Sequence, residues 1–128
     1  KTVSTPWLKI GLSICYDLRF PELYRSKQFK DVEVISIPSA FTKETGAAHW
    51  MTLLQSRAIE NLAYVVAPNQ WGEHFGSRET FGHSVIIDPW GKVMDIKEDG
   101  EGFVLAEMDI KGLKSIRNKF PALQHRKL

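Results

Sequence analysis

Three short apolar runs, at residues 7–15, 32–38 and 63–68, constrain the fold of this chain most strongly. Each has the length and composition of a buried β-strand. Two helical segments separate the runs. The first, residues 21–25, begins with a proline, and the second, residues 47–62, has apolar positions that recur every three or four residues. This alternation of strands and helices predicts an α/β fold.

The rest of the chain predicts more strands than helices. In order, we expect a surface loop at 69–80, a hairpin of strands 82–87 and 92–96 with its turn at 88–91, a strand at 102–108 and an amphipathic helix at 110–120. Strands that follow one another directly after strand–helix units indicate a sheet of mixed direction.

The predicted strands look buried on both faces, but the chain supplies only about three helices. Helices would cover one face, and a bare apolar face is rare in a monomer. We therefore expect a second sheet, from missing residues or from another chain, and we expect a homo-oligomer. Residues 6–10 look like the second arm of a hairpin whose first arm is lost near Lys1, which favours a fragment of a longer protein.

Composition and charge exclude several classes of protein. The formal net charge is +2, from 17 Lys and Arg against 15 Asp and Glu, which gives no argument for a nucleic-acid partner. No apolar run approaches the ~20 residues that would span a membrane. The one cysteine, Cys15, excludes an internal disulfide and a cysteine-based zinc cluster, and it fits a reducing compartment. We expect a cytoplasmic protein with no metal and no other cofactor.

Motifs along the whole chain carry a resemblance to one enzyme family. They lie, in matching order and spacing, at residues 11–24, 38–42, 45–50, 57–61, 81–84, 88–91, 117–121 and 125–126. In these motifs the chain resembles the nitrilase, or carbon–nitrogen hydrolase, superfamily. Its Nit-type branch, which is the most similar, includes amidases of deaminated glutathione and of ω-amides of keto acids.

The resemblance implies a fold as well as a reaction. The family domain is a four-layer α-β-β-α sandwich, and this chain corresponds to roughly its rear half. Residues 1–128 would then be the C-terminal part of one incomplete domain, with a mixed sheet and helices on one face. That expectation agrees with the bare sheet face, which was inferred from the strand pattern.

The resemblance also assigns a nucleophile. Cys15 would attack the carbonyl carbon of a small carboxylate-bearing amide, and the backbone N–H of Tyr16 would stabilise the oxyanion. The amide nitrogen would leave, and water would then hydrolyse the thioester to the acid.

Two further catalytic groups of the family are not found in this chain. A glutamate base and an oxyanion-binding lysine precede the cysteine by long stretches in the family, whereas only 14 residues precede Cys15 here. Lys1 and Lys9 lie on the wrong segments, and Glu22 and Glu44 do not replace the base. The sequence therefore predicts that this chain alone has no amidase activity.

Arg19, four residues after the thiol, matches a position that binds a substrate carboxylate in this branch. The guanidinium fork suits a carboxylate. The alternative is a structural ion pair of Arg19 with Asp17 or Glu22.

Phe41 and Thr45 match positions that line the family's substrate pocket. The alternatives are ordinary core packing for Phe41 and helix capping by Thr45 or Thr42. Met51 departs from the pattern, because relatives usually have glutamate there.

The histidines invite a different chemistry. Asp17 could complete a Cys-His-Asp triad, but neither His49 nor His83 lies in a motif that supports one, and we expect both to be buried, hydrogen-bonded structural residues. The alternative to an amidase is a non-catalytic α/β remnant of the same descent, acting as a binding or self-associating module.

Overall fold

The structure, a computed structural model, describes residues 1–127. Within these residues, six strands form one sheet and two form a separate hairpin. The strands are β1 (Thr2–Ser4), β2 (Lys9–Leu12), β3 (Val34–Ser36), β4 (Tyr64–Ala67), β5 (Trp71–His74), β6 (Arg78–Phe81), β7 (Ser84–Ile87) and β8 (Val93–Lys97). The helices are α1 (Pro21–Tyr24), α2 (Lys43–Asn61) and α3 (Ile110–Lys119), with 3₁₀ turns at Cys15–Arg19, Lys27–Phe29 and Ala122–Gln124.

The central sheet is mixed, as predicted. Its strand order is β1-β2-β3-β4-β7-β8. The pairs β2–β3 and β3–β4 are parallel, and the connections between them carry α1 and α2. The remaining pairs are antiparallel. Short connections join β1 to β2 and β7 to β8, whereas the β5–β6 hairpin lies between β4 and β7 in the chain. The parallel centre brings the carboxyl ends of β2, β3 and β4 to one edge of the sheet.

One face of the sheet packs on α2 and forms the main core. Successive strand residues point to opposite faces, so Ile35 and Val65 lie on this face together. Trp50, Leu54 and Ala58, spaced as one helical stripe, bury themselves against it. The prediction of an α/β sheet with a helix over it is confirmed.

The second face is only partly covered. At one end, Val34 and Tyr64 pack against Leu113 of α3, which is buried. Towards β1 and β2 the cover stops: Val3 is 45% exposed and Leu12 is 43% exposed. The bare apolar area expected from the strand pattern is therefore present on this part of the sheet.

The first predicted strand is shorter and better paired than expected. Strand β2 ends at Leu12, so Cys15 does not end a strand but begins a 3₁₀ turn. The prediction that the first hairpin arm is lost is wrong, because β1 pairs with β2 in antiparallel register, Val3 opposite Ile10. Strand β1 has only three residues, which is too short for a pattern of apolar residues to predict it.

The prediction of a loop at 69–80 is also wrong. This segment contains the hairpin β5–β6, with Trp71 paired to Phe81. Strand β5 is largely exposed and only Thr80 of β6 is buried, so the alternation of apolar and polar residues that indicates a strand is weak here. The hairpin is anchored at its base, where the Phe81 side chain packs directly on Gly46 of α2. A Cβ at position 46 would collide with Phe81.

The predicted strand at 102–108 forms no ladder with any described residue. The segment is instead held by a side chain, since the Leu105 N–H donates to Asp95 Oδ2 at 2.8 Å. Residues 103–106 form an unbroken apolar run, but Phe103 and Leu105 point into solvent. Among residues 1–127, no helix combines the length and the apolar character needed to cross a membrane.

Candidate active site

Cys15 lies just beyond the carboxyl end of β2, on a turn that is tied to the end of β3. The Cys15 N–H donates to the Pro38 carbonyl at 2.9 Å, and both the N–H and the hydroxyl of Ser13 donate to the Ser36 carbonyl. The Tyr24 hydroxyl donates to Ser13 Oγ at 3.1 Å. Burial raises the pKa of Tyr24 to about 12, so this donor keeps its proton. The thiol is thus held in a fixed position, half-buried and not in a disulfide.

The backbone of the turn is strained at the cysteine itself. Cys15 has φ +45°, a left-handed conformation that costs a non-glycine residue roughly 1–2 kcal/mol. Asp17 closes the turn: its Oδ2 accepts the Ile14 N–H at 2.9 Å, and its own N–H donates to the Ile14 carbonyl at 2.9 Å. Strain of this kind often accompanies function.

The Tyr16 N–H, next to the thiol, donates no hydrogen bond to any described residue. Free backbone N–H groups are one kind of donor from which oxyanion sites are built. The sequence predicted this donor through the family resemblance alone.

The strain predicts an unusual order of stability for variants. In a normal extended or helical position, glycine is roughly 0.5–1 kcal/mol less stable than alanine. At Cys15 we expect Cys15→Gly to be at least as stable as Cys15→Ala, because glycine has no Cβ to strain at φ +45°. Urea denaturation of both variants measures the difference. A glycine variant that is less stable by about 1 kcal/mol would contradict a left-handed Cys15.

Arg19 ends the same 3₁₀ turn and lies among rings. Its guanidinium carbon lies 5.4 Å from the Tyr16 ring centroid and 5.3 Å from that of Phe41. Its Nη1 and Nη2 lie 3.3 and 3.4 Å from His49 Nδ1. Among residues 1–127 it forms no salt bridge, so the alternative ion pairs with Asp17 and Glu22 are absent.

Phe41 and Thr45 take different positions relative to this group. Phe41 is 4% exposed and packs on Trp50 with 4.8 Å between ring centroids, so it is a core residue. Its ring also contacts the Arg19 guanidinium. Thr45 is half-buried, and its hydroxyl bonds that of Thr42 at 2.9 Å. Thr42 is the N-cap residue of α2 but makes no side-chain capping bond.

The two histidines differ from each other. The prediction that His49 is buried is wrong: it is exposed on α2, where its partner is the Arg19 guanidinium. His83 is half-buried, stacks on Phe81 and bonds the Phe81 carbonyl through Nδ1. Neither histidine bonds Asp17 or Cys15 in the described structure, so it contains no Cys-His-Asp triad.

Two buried residues that support the site were not assigned by sequence reasoning. Arg57 donates from Nε and Nη2 to the Leu18 carbonyl, at 3.0 and 2.7 Å, and so ties α2 to the cysteine turn. Asn69 accepts the Phe41 N–H and donates to the Gly82 carbonyl. The signals for Arg57 were its place in the motif at 57–61 and its position on the otherwise apolar stripe of α2. No signal pointed to Asn69, because it was the first residue of the loop predicted at 69–80.

Comparisons with known proteins agree with this geometry. Residues 1–118 match the carbon–nitrogen hydrolase family. The chain is 49% identical over 125 residues to the deaminated glutathione amidase of Dictyostelium discoideum, covering 97% of this chain and 43% of that protein. It is 47% identical over 125 residues to the Homo sapiens deaminated glutathione amidase, covering 98% of this chain and 38% of that protein.

Solved structures give the same result. The NitFhit protein of C. elegans superposes with a TM-score of 0.93 at 45% identity, over 98% of this chain and 31% of that chain. Saccharomyces cerevisiae Nit3, a member of the nitrilase superfamily, superposes with a TM-score of 0.90 at 36% identity, over 100% of this chain and 47% of that chain. The chain thus spans less than half the length of these relatives, and it belongs to the carbon–nitrogen hydrolase family.

Proposed function

We propose that the protein to which this chain contributes hydrolyses the amide bond of a small carboxylate-bearing amide, with Cys15 as the nucleophile. The observation that carries the proposal is the cysteine turn. A half-buried thiol on a strained, hydrogen-bonded turn stands beside a free backbone N–H, in a chain of the carbon–nitrogen hydrolase family. The relatives named deaminated glutathione amidase support an amide as the substrate.

The proposed reaction has two halves. Cys15 Sγ, as thiolate, attacks the carbonyl carbon, and the Tyr16 N–H donates to the oxygen that becomes negative. The carbon–nitrogen bond breaks, and ammonia or an amine leaves with the proton that a general acid returns to it. Water then attacks the thioester carbonyl, which releases the acid and restores the thiol.

The base and a second oxyanion donor have to come from elsewhere in the protein. The family resemblance assigns these roles to a glutamate and a lysine that precede the cysteine, and we propose that they lie outside residues 1–128. Glu22 and Glu44 are both exposed and make no hydrogen bond to the cysteine turn. The loss of a general base alone costs ~10²–10⁴ in rate, so we expect the chain by itself to be inactive.

Arg19 supports the choice of a carboxylate-bearing substrate. Its charge is not neutralised by any described carboxylate, and the guanidinium lies four residues along the turn from the thiol. We propose that it binds the substrate carboxylate, and that Thr45 and the edge of Phe41 line the same pocket.

The uncovered part of the second face supports an incomplete domain. Val3 and Leu12 remain exposed where β1 and β2 have no layer above them. We propose that the preceding part of a longer protein packs here and completes the catalytic domain. Self-association through the same face is the alternative, and it predicts a dimer of the isolated chain in sedimentation.

A fusion protein tests the proposal. This chain replaces the matching residues of the D. discoideum amidase, so that the rest of that protein supplies the missing part; the isolated chain serves as the control. We expect the fusion protein to release ammonia from glutaramate, or the cysteinyl peptide amine from deaminated glutathione, and the isolated chain to release neither. If the isolated chain released ammonia or the amine in a reaction that depends on Cys15, the proposal that the base lies outside this chain would be disproved. A folded fusion protein that hydrolyses neither amide would favour a non-catalytic module.

A further inference from the structure

The Arg19 guanidinium is held by three aromatic rings and by no carboxylate of the described residues. Phe41 lies beneath it, Tyr16 beside it and His49 at its Nη edge. Ring faces attract a guanidinium without neutralising it. A carboxylate would instead occupy the fork that a ligand needs. The arrangement therefore orients the cation and leaves its charge available.

His49 contributes the directional part of this arrangement. A guanidinium has only donors, so His49 Nδ1 must present its lone pair, and the ring is then neutral with its proton on Nε2. Both Nη1 and Nη2 are within reach of this one acceptor. His49 is exposed and lies one helical turn after Thr45 on α2, so it adds nothing to the core.

We propose that His49 is a positioning residue, whose neutral ring directs the Arg19 guanidinium towards the substrate carboxylate. This inference rests on the function proposed above, because it assumes that Arg19 binds that carboxylate. A neutral acceptor suits this task better than an acidic residue, which would pair with Arg19 and compete with the substrate.

Three variants of the fusion protein separate positioning from packing. His49→Leu keeps bulk and removes the acceptor. His49→Asn keeps an acceptor, since the Asn Oδ1 can occupy the place of Nδ1. His49→Asp adds a competing negative charge. We measure kcat and KM for glutaramate and for its methyl ester, which lacks the carboxylate.

For glutaramate, we expect His49→Leu to raise KM about fivefold, which corresponds to the loss of one ordinary hydrogen bond, with kcat changed less than twofold. We expect His49→Asn to restore KM to within about twofold and His49→Asp to raise it more than about tenfold. The methyl ester should show no difference among the variants, because it gives Arg19 no charge to bind.

The possible results separate the two proposals. An active fusion protein in which His49→Leu leaves the KM for glutaramate unchanged overturns the role of His49 alone. Equal losses for glutaramate and its ester also overturn it, because they indicate a structural effect. A fusion protein that hydrolyses neither amide overturns the proposed function, and the inference fails with it.

Discussion

Cys15→Ser is expected to lower amide hydrolysis by the fusion protein at least about 10⁴-fold, to the background rate. Removing the nucleophile of a hydrolase typically costs about 10⁶ in kcat. A serine hydroxyl is far less acidic than a thiol, and a carboxylate base does not activate it for attack on an amide. Ammonia release from glutaramate measures the rate, and alkylation of the parent fusion protein shows whether the Cys15 thiol is accessible.

The substitution should leave the fold unchanged. The turn is held by backbone donors and by Asp17, and the Cys15 sulfur makes no hydrogen bond to a described residue. The melting temperature of the variant should therefore equal that of the parent within about 2 °C, since a ΔΔG of 1 kcal/mol shifts Tm by only a few degrees in a protein of this size. A matched control adds Ser115→Cys on exposed α3 to Cys15→Ser, which restores a thiol at a distant position. Activity in this double variant, or more than about 1% residual activity in the single variant, would contradict the assignment of Cys15.

The parts of the fold that the sequence predicted are those whose stability is local or strongly apolar. β3 and β4 are buried apolar runs, and α2 presents a stripe that includes Trp50 and Leu54, so pattern and packing agree. The β5–β6 hairpin was missed for the opposite reason. Strand β5 is mostly exposed, and the single buried residue of β6 is the polar Thr80. The hairpin is anchored by the close approach of Gly46 to Phe81, which lie 35 positions apart in the sequence and share no local pattern.

At residues 102–108 the error is the reverse: a strand was predicted, and the structure has none. The short apolar run at residues 103–106 is typical of a strand. A strand, however, needs a neighbour with free backbone groups. In the described structure β8 offers it only the Asp95 carboxylate. Local pattern reports the tendency to be extended, whereas ladder formation depends on what lies beside the segment.

In the candidate site, too, the residues that are close in sequence were predicted and the contacts between distant segments were not. Cys15, Tyr16 and Arg19 lie within five residues, so a single motif identified them together. The partners of Arg19 come from Phe41 and His49, which reach it only through the packing of α2 on the cysteine turn. The contact of His49 with Arg19 was therefore not predictable from the neighbours of His49 in the sequence.

Arg57→Ala is expected to lower the free energy of unfolding of the chain by about 3 kcal/mol. Arg57 is 5% exposed, and its guanidinium makes two hydrogen bonds to the Leu18 carbonyl and one to Glu60 Oε1. Truncation leaves a buried carbonyl without a donor, which costs ~1–3 kcal/mol, and removes the packing of the guanidinium over the Tyr24 ring. Glu60 keeps a partner in Arg25, so it does not become an isolated charge. Urea denaturation measures the change.

A matched arginine and a conservative variant make this prediction specific. Arg78 is exposed on β6 and donates no side-chain hydrogen bond to a described residue, so Arg78→Ala should change stability by less than about 0.5 kcal/mol. Arg57→Lys should fall between the parent and Arg57→Ala, because one ammonium cannot reproduce the two-pronged contact with the Leu18 carbonyl. If Arg57→Ala cost no more than Arg78→Ala, the arginine would not be what ties α2 to the cysteine turn. If it cost stability as expected, the same tether would explain how a helix more than thirty residues along the chain fixes the position of Cys15 and brings His49 to Arg19.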